Sequence, residues 1–162
     1  LSMASRIAVM DKGAVQQIAT PAELYEQPAS RFVADFIGKV NLINAKVVSS
    51  SPTKVVCDAK GLGQIELPHQ GQARGDIAIA VRPEKLKISD AQPKTANAIR
   101  TEGKVRDVAY YGDTSHVVVR CKDDLELAVN VQNDKRAGGA GVERGQQVWI
   151  HWAPEDTLVL TE

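Results

Sequence analysis

ARGDIAIAVRPEKLKI (residues 73–88) and ERGQQVWIHWAPEDTLVL (residues 143–160) are two versions of one pattern. Each opens on Arg-Gly, runs into an apolar strand, breaks at Pro-Glu and resumes with a short apolar run. Arg74-Gly75 answers Arg144-Gly145 and Pro83-Glu84 answers Pro154-Glu155, with a spacing that differs by a single residue. Working outward, KVVCDA and QIELP before the first copy answer VVVRC and LELAV before the second, so that Cys57 answers Cys121. Lys46-Val47 likewise answers Lys104-Val105. Many short β-branched runs closed by turn residues predict an all-β barrel or sandwich. Half-units of about 45 to 60 residues are small for independent folding, so each is expected to complete its core against the other.

The remainder reads differently. Arg6-Ile7-Ala8-Val9-Met10 and Ala14-Val15-Gln16-Gln17-Ile18 flank Asp11-Lys12-Gly13 and predict a hairpin. Thr20 then offers a cap, Pro21 suits the first helical position and Glu23 completes a capping box. Pro28 ends that helix, Ser30 caps the next, and Gly38 stops it, with Phe32, Val33, Phe36 and Ile37 expected on one face. The expected organisation is therefore a hairpin and helical neck over 1–40 followed by a β region over 41–162, built from repeats at about 41–90 and 99–161.

Composition narrows the function classes. Twenty basic residues balance twenty acidic ones, and only 4% of the 162 residues are aromatic. Neither a basic footprint nor a base-stacking platform is present, so no nucleic acid is expected as a partner. No apolar run reaches the roughly 20 residues that span a bilayer. Two distant cysteines fit no metal or redox spacing, and a reducing, cytoplasmic setting is expected.

RIAVMDKGAVQQIATPAELYEQPASRFVADFIG (residues 6–38) resembles the end of the ATP-binding domain in ABC importers of the maltose and polyamine type. VRPEKLKI (81–88) and VAYYGDTSHVVVR (108–120) resemble strands of the regulatory region that follows it in those proteins, the TOBE domain or transport-associated OB fold. The resemblance implies a mainly β fold: tandem OB-like (TOBE) barrel units sharing a core, preceded by the hairpin and two short helices. FVADFIGKVNLI (32–43) and WAPEDTLVLTE (152–162) look more like the polyamine (putrescine or spermidine) group than the maltose group. Iron(III), sugar and other small-solute importers are the alternatives.

The family's switch histidine lies just upstream of the segment matched by Leu1-Ser2-Met3. Gly38-Lys39 and Gly103-Lys104 are both followed by valine and lack a glycine five positions earlier, so neither forms a phosphate-cradling loop. Walker B and signature sequences are also missing, so no catalytic residue and no cofactor are expected in this stretch. ATP and magnesium are implied for the parent protein, which couples ATP hydrolysis to uptake. The resemblance implies a homodimer formed through the regulatory region and transmembrane permease subunits contacted through the ATPase domain. It also implies no direct contact with the transported solute, and a peripheral place on the cytoplasmic face of a bacterial inner membrane.

Other residues invite particular readings. Arg82 and Glu84 follow strand IAIAV at the proline, where the family brings subunits close, and are candidate interface residues beside an architectural role. Trp149 and Trp152 stand at odd spacing on one strand and face opposite ways, one toward a core and one as a candidate partner anchor. His69, His116 and His151 show no local ligand pairing, so no metal site is expected. Arg74-Gly75-Asp76 reads as a turn and Gly138-Gly139-Ala140-Gly141 as a polar loop. A second functional reading is an oxyanion sensor, with donors from Lys104, Arg106, Thr114 and Ser115 near loops after Gly71 and Gly112. Oligonucleotide binding is a third, disfavoured by the charge balance.

Overall fold

Period-2 burial sets the inner faces. The computed structural model describes residues 5–133 and 141–162; Leu1-Ser2-Met3 and Gly138-Gly139-Ala140 lie outside the described residues. Strand β3 (Asn41–Ser50) buries Asn41, Ile43 and Ala45, and β4 (Lys54–Ala59) buries Val55, Cys57 and Ala59. β5 (Gly63–Pro68) buries Leu67, while β6 (Asp76–Val81) is buried on both faces from Ile77 onward. The second half repeats this series with β8 (Ile99–Tyr111), β9 (Thr114–Cys121), β10 (Glu126–Gln132) and β11 (Gln147–Trp152). Each series ends in a single 3₁₀ turn, Pro83–Lys85 or Pro154–Asp156, and a three-residue strand, β7 (Lys87–Ser89) or β12 (Leu158–Leu160).

Those last strands change sides. β7 pairs with β11 and β12 pairs with β6, both antiparallel, so the five-stranded sheets run β12-β6-β3-β4-β5 and β10-β9-β8-β11-β7. One continuous core fills the space between them, joining Ile43, Cys57, Leu67 and Ile79 to Val119, Leu127, Ile150 and Trp152. The fold is mainly β, two curled half-barrels that share a core, as the repeat implies.

The Arg-Gly pairs have a geometric role. β3 bulges between Val47 and Ser49, and β8 bulges between Val105 and Asp107. Gly75 (φ +70°) and Gly145 (φ +88°) lie opposite those bulges in the left-handed region that glycine adopts freely. Val47 N–H donates to Gly75 O at 3.0 Å and Gly145 N–H to Val105 O at 2.8 Å. The turns between β4 and β5 and between β9 and β10 meet at Gly61, where a Cβ would lie 2.7 Å from both Leu125 Cβ and Lys122 O.

Before the β body, β1 (Ile7–Asp11) and β2 (Ala14–Ala19) form the two-stranded hairpin. Helices α1 (Pro21–Glu26) and α2 (Arg31–Ile37) follow with the caps the sequence predicts: Thr20 Oγ1 accepts from Glu23 N–H at 3.2 Å and Ser30 Oγ from Val33 N–H at 3.3 Å. The apolar face of α2 is divided. Val33 and Ala34 are fully buried, whereas Phe32 and Phe36 stack on each other at 5.8 Å on the outside, with Phe36 63% exposed. Val33 joins Val9, Ala19 and Leu24 in a small core with the hairpin, and Ala34 packs on Ala78, Ala80 and Leu160 of the first sheet.

Candidate functional site

Five side-chain hydrogen bonds converge at the joint between the helical neck and the β body. The last-turn carbonyls of a helix lack partners within it, and neither α1 nor α2 carries a basic residue in its last turn to supply them. Arg82, at the exit of β6, supplies the missing donors from another part of the chain. Its Nη1 donates to Ala34 O and Gly38 O at 3.0 Å and to Lys39 O at 3.1 Å, and its Nη2 donates to Tyr25 O at 3.1 Å. The guanidinium lies 4.2 Å from the centroid of the Tyr25 ring, within cation–π range. Pro83 fixes the backbone just beyond and starts the 3₁₀ turn, which places Glu84 to accept a hydrogen bond from the Tyr25 hydroxyl. Burial, and then the Glu84 carboxylate, push the Tyr25 phenol up to about 12, so it remains a donor throughout the neutral range.

Arg82 is 7% exposed and makes no ion pair among the described residues. A buried guanidinium satisfied by carbonyls instead of a carboxylate is a fastener with fixed direction, since its planar fork fits one arrangement of acceptors. The second repeat shows what this position looks like without a neck. Counting from the two prolines, Arg82 matches Ala153. The arginine therefore belongs to the joint and not to the repeated architecture.

Two further clasps extend the joint. Gln17 of β2 donates to Gln27 O at 3.1 Å and accepts from Ala29 N–H at 2.8 Å, tying the hairpin to the segment between the helices. Asn41, at the start of β3, donates to Ala128 O at 2.9 Å and accepts from Ala128 N–H at 2.8 Å, acting as a one-residue strand on the edge of β10. At the far end, Arg31 N–H donates to Glu162 O at 2.9 Å, which holds the last residue against the start of α2.

The sequence-derived candidates fall in different places. Arg82 and Glu84 turn toward the neck of their own chain, and Trp152 lies in the core with its Nε1 donating to Thr157 Oγ1 at 2.8 Å. Trp149 is half-buried on the opposite face of β11 and lines an open cleft of about 950 Å³ with Arg31, Lys46, Lys60, Arg100 and Lys122, interspersed with Asp58, Asp76, Glu102 and Asp123. None of Lys104, Arg106, Thr114 and Ser115 lines that cleft. Arg106 is engaged by Asp107 and Glu126, and Ser115 Oγ donates to Asn133 Oδ1 at 2.7 Å. His69, His116 and His151 do not come together, and among the described residues no three His, Cys, Asp or Glu side chains form a metal-binding group. Sequence reasoning missed Gln17, Tyr25 and Asn41; the signal for Asn41 was an amide where the second repeat has Ile99.

Among the described residues no helix is long and apolar enough to cross a membrane. Comparison with known proteins adds family relationships to this geometry. Residues 79–160 match the TOBE domain family. The spermidine/putrescine import ATP-binding protein PotA of Thermobifida fusca is 42% identical, with 99% of this chain and 41% of that protein covered. The protein of the same name from Rubrobacter xylanophilus is 36% identical, covering 99% of this chain and 42% of its own length. The one from Nitrosomonas eutropha is 33% identical, covering 100% of this chain and 45% of its own length. The chain thus spans about two fifths of the length of these curated relatives, and it matches their C-terminal part. A solved structure of the cytoplasmic molybdate-binding protein ModG, with molybdate bound, matches with a TM-score of 0.64 over 75% of this chain and 96% of that one. At 11% identity that likeness concerns the fold alone.

Proposed function

The chain belongs to the TOBE-domain family, and from that premise we propose that it is the C-terminal regulatory and dimerising region of the ATP-binding subunit of a polyamine importer. The observation that carries this reading is that hairpin, helices and β body together, 99% of the chain, align with a relative named as a spermidine/putrescine import ATP-binding protein. In the parent protein, ATP and magnesium bind in the ATPase domain, whose end is formed by the hairpin and helical neck over 1–40. Hydrolysis there is coupled to uptake through permease subunits at the cytoplasmic face of the membrane. No residue of the present stretch touches the solute.

The role of the β body follows from the demands of such a cycle. Two ATPase domains separate and rejoin at every turnover. A C-terminal region that stays paired with its twin keeps the local concentration of the two high while they part. A ligand or protein that binds the β body better in one arrangement shifts the population toward it, which is regulation.

The test is a chimaera in which this chain replaces the matching C-terminal region of the Thermobifida fusca relative, expressed with its permease subunits in cells that lack polyamine uptake. Restored putrescine or spermidine uptake is expected. A chimaera that accumulates normally yet restores no polyamine uptake overturns the reading. Light scattering addresses pairing separately: a dimer is expected, and a monomer at high concentration removes the dimerising role.

A further inference from the structure

We propose that Gln17, Arg82 and Asn41 act in series to weld the hairpin, the helical neck and both β halves into one rigid lever, with Arg82 as the positioning residue. A displacement imposed anywhere on the β body then reaches the hairpin undiminished, and the joint itself does not flex. The importance of this for ATPase control rests on the function proposed above; the rigidity does not.

The three side chains share a way of acting. Each reaches from one element to backbone groups of the next and supplies the partner that a strand or a helix end lacks. Gln17 joins β2 to Gln27 and Ala29. Arg82 joins β6 to the carbonyls that end α1 and α2. Asn41 joins the first half to β10 of the second. Backbone acceptors, unlike the tip of a mobile carboxylate side chain, do not change rotamer, so a bond to them fixes the element itself. Gln17 and Asn41 are neutral, which leaves their bonds insensitive to ionic strength.

The repeat provides an internal control. If these residues served only to build a half-barrel, both halves would carry them. Asn41 and Arg82 match Ile99 and Ala153, and the second half has no neck to hold. The chain end reinforces the same joint, because β12 covers α2 through Leu160 and Glu162 O receives Arg31 N–H. The neck is gripped by residues from both repeats.

Spin labels at Gln16→Cys and Gln64→Cys report the distance between hairpin and body, with Cys57 and Cys121 buried and therefore unlabelled. A single narrow distribution is expected. Arg82→Ala is expected to broaden it at least about twofold and to speed amide exchange at Leu24, Gln27 and Ala34 by about tenfold or more, while Val119 and Leu127 stay within about twofold. Arg82→Lys, with one point donor in place of the fork, is expected to fall between. A width unchanged by Arg82→Ala, or sheet protection that falls in step with the neck, overturns the proposal. If Arg82→Ala does not fold, Arg82→Lys and Gln17→Ala carry the same two readouts. Both readouts are made on this chain without nucleotide or permease, so failure here is distinct from failure of the chimaera.

Discussion

Two glycines show how much one methyl group decides. A Cβ at Gly103 would lie 2.4 Å from Arg120 O of the neighbouring strand, and one at Gly61 would strike Leu125 and Lys122 O while holding φ at +78°. Gly63 has a similar φ of +76° but open space around it. Gly61→Ala is therefore expected to cost about 3 kcal/mol, as backbone strain and overpacking add, and Gly63→Ala about 1 kcal/mol, from strain alone. Urea unfolding of the two variants checks the order. Titration offers a second test at this scale. Burial raises both cysteines, Cys121 to about 11, so the folded state keeps thiol protons that the unfolded chain releases from about pH 8.5 upward. Stability is expected to fall between pH 9 and 11, and both thiols to react slowly with a disulfide reagent until the chain unfolds. His151 works in the opposite direction. Burial, then Lys87 and Arg100, lower its pKa, so its contribution is complete above about pH 6.5 and is lost as the pH falls toward the lower folded value. His151→Gln is expected to flatten the acid limb of the stability profile. The matched cysteines recur inside apolar strands of the sequence, a setting that agrees with their burial. The role of Arg82 was not legible there, because its acceptors are backbone carbonyls that no side-chain pattern records.

Why α2 sits where it does is a matter for whole elements. The first sheet offers Ala78, Ala80, Leu158 and Leu160, small or aliphatic side chains over which a helix can lie closely. The matching positions of the second sheet are Trp149, His151, Lys87 and Ser89, which are bulkier or polar. Ala78→Trp copies the second face onto the first. It is expected to cost about 3 kcal/mol by overpacking and to free the amides of α2 from protection, as hydrogen exchange would show. The edge strands are blocked by two different devices. Ile65-Glu66-Leu67-Pro68 matches Leu125-Glu126-Leu127-Ala128. Ala128 has an N–H, which Asn41 satisfies, while Pro68 at the matching place has none to satisfy. Asn41→Ala should therefore lose about 2 kcal/mol, measured by denaturant unfolding, as the two bonds it makes to a part-buried edge go unmade. The caps and breaks of the helices could be read directly from Thr20, Pro21, Pro28 and Ser30. The split between the buried and exposed parts of the α2 face could not, because a seven-residue helix with five apolar positions covers more than one neighbour can bury.

For the whole molecule, the repeat predicted the shared core, and the structure adds how it is shared. A three-residue strand such as β7 or β12 carries too little pattern to say which sheet it joins, so the crossing was invisible in the sequence. Each half donates its last strand to the other, and neither should survive alone. Fragments 5–96 and 97–162 are expected to be unfolded separately and to recover native tryptophan fluorescence when mixed, since Trp152 reports the joined core. A cooperative unfolding transition by circular dichroism in either piece alone would contradict this arrangement.

The reciprocal loan of β7 and β12 also gives the chain a route to a misassembled form. Only the stretch from Asp90 to Ala98 ties lender to borrower. At high concentration during refolding, the first half of one molecule can accept the second half of another with every native contact preserved. Such exchanged dimers, or open strings of them, would mimic true assembly in a sizing column, and dilution before folding should abolish them.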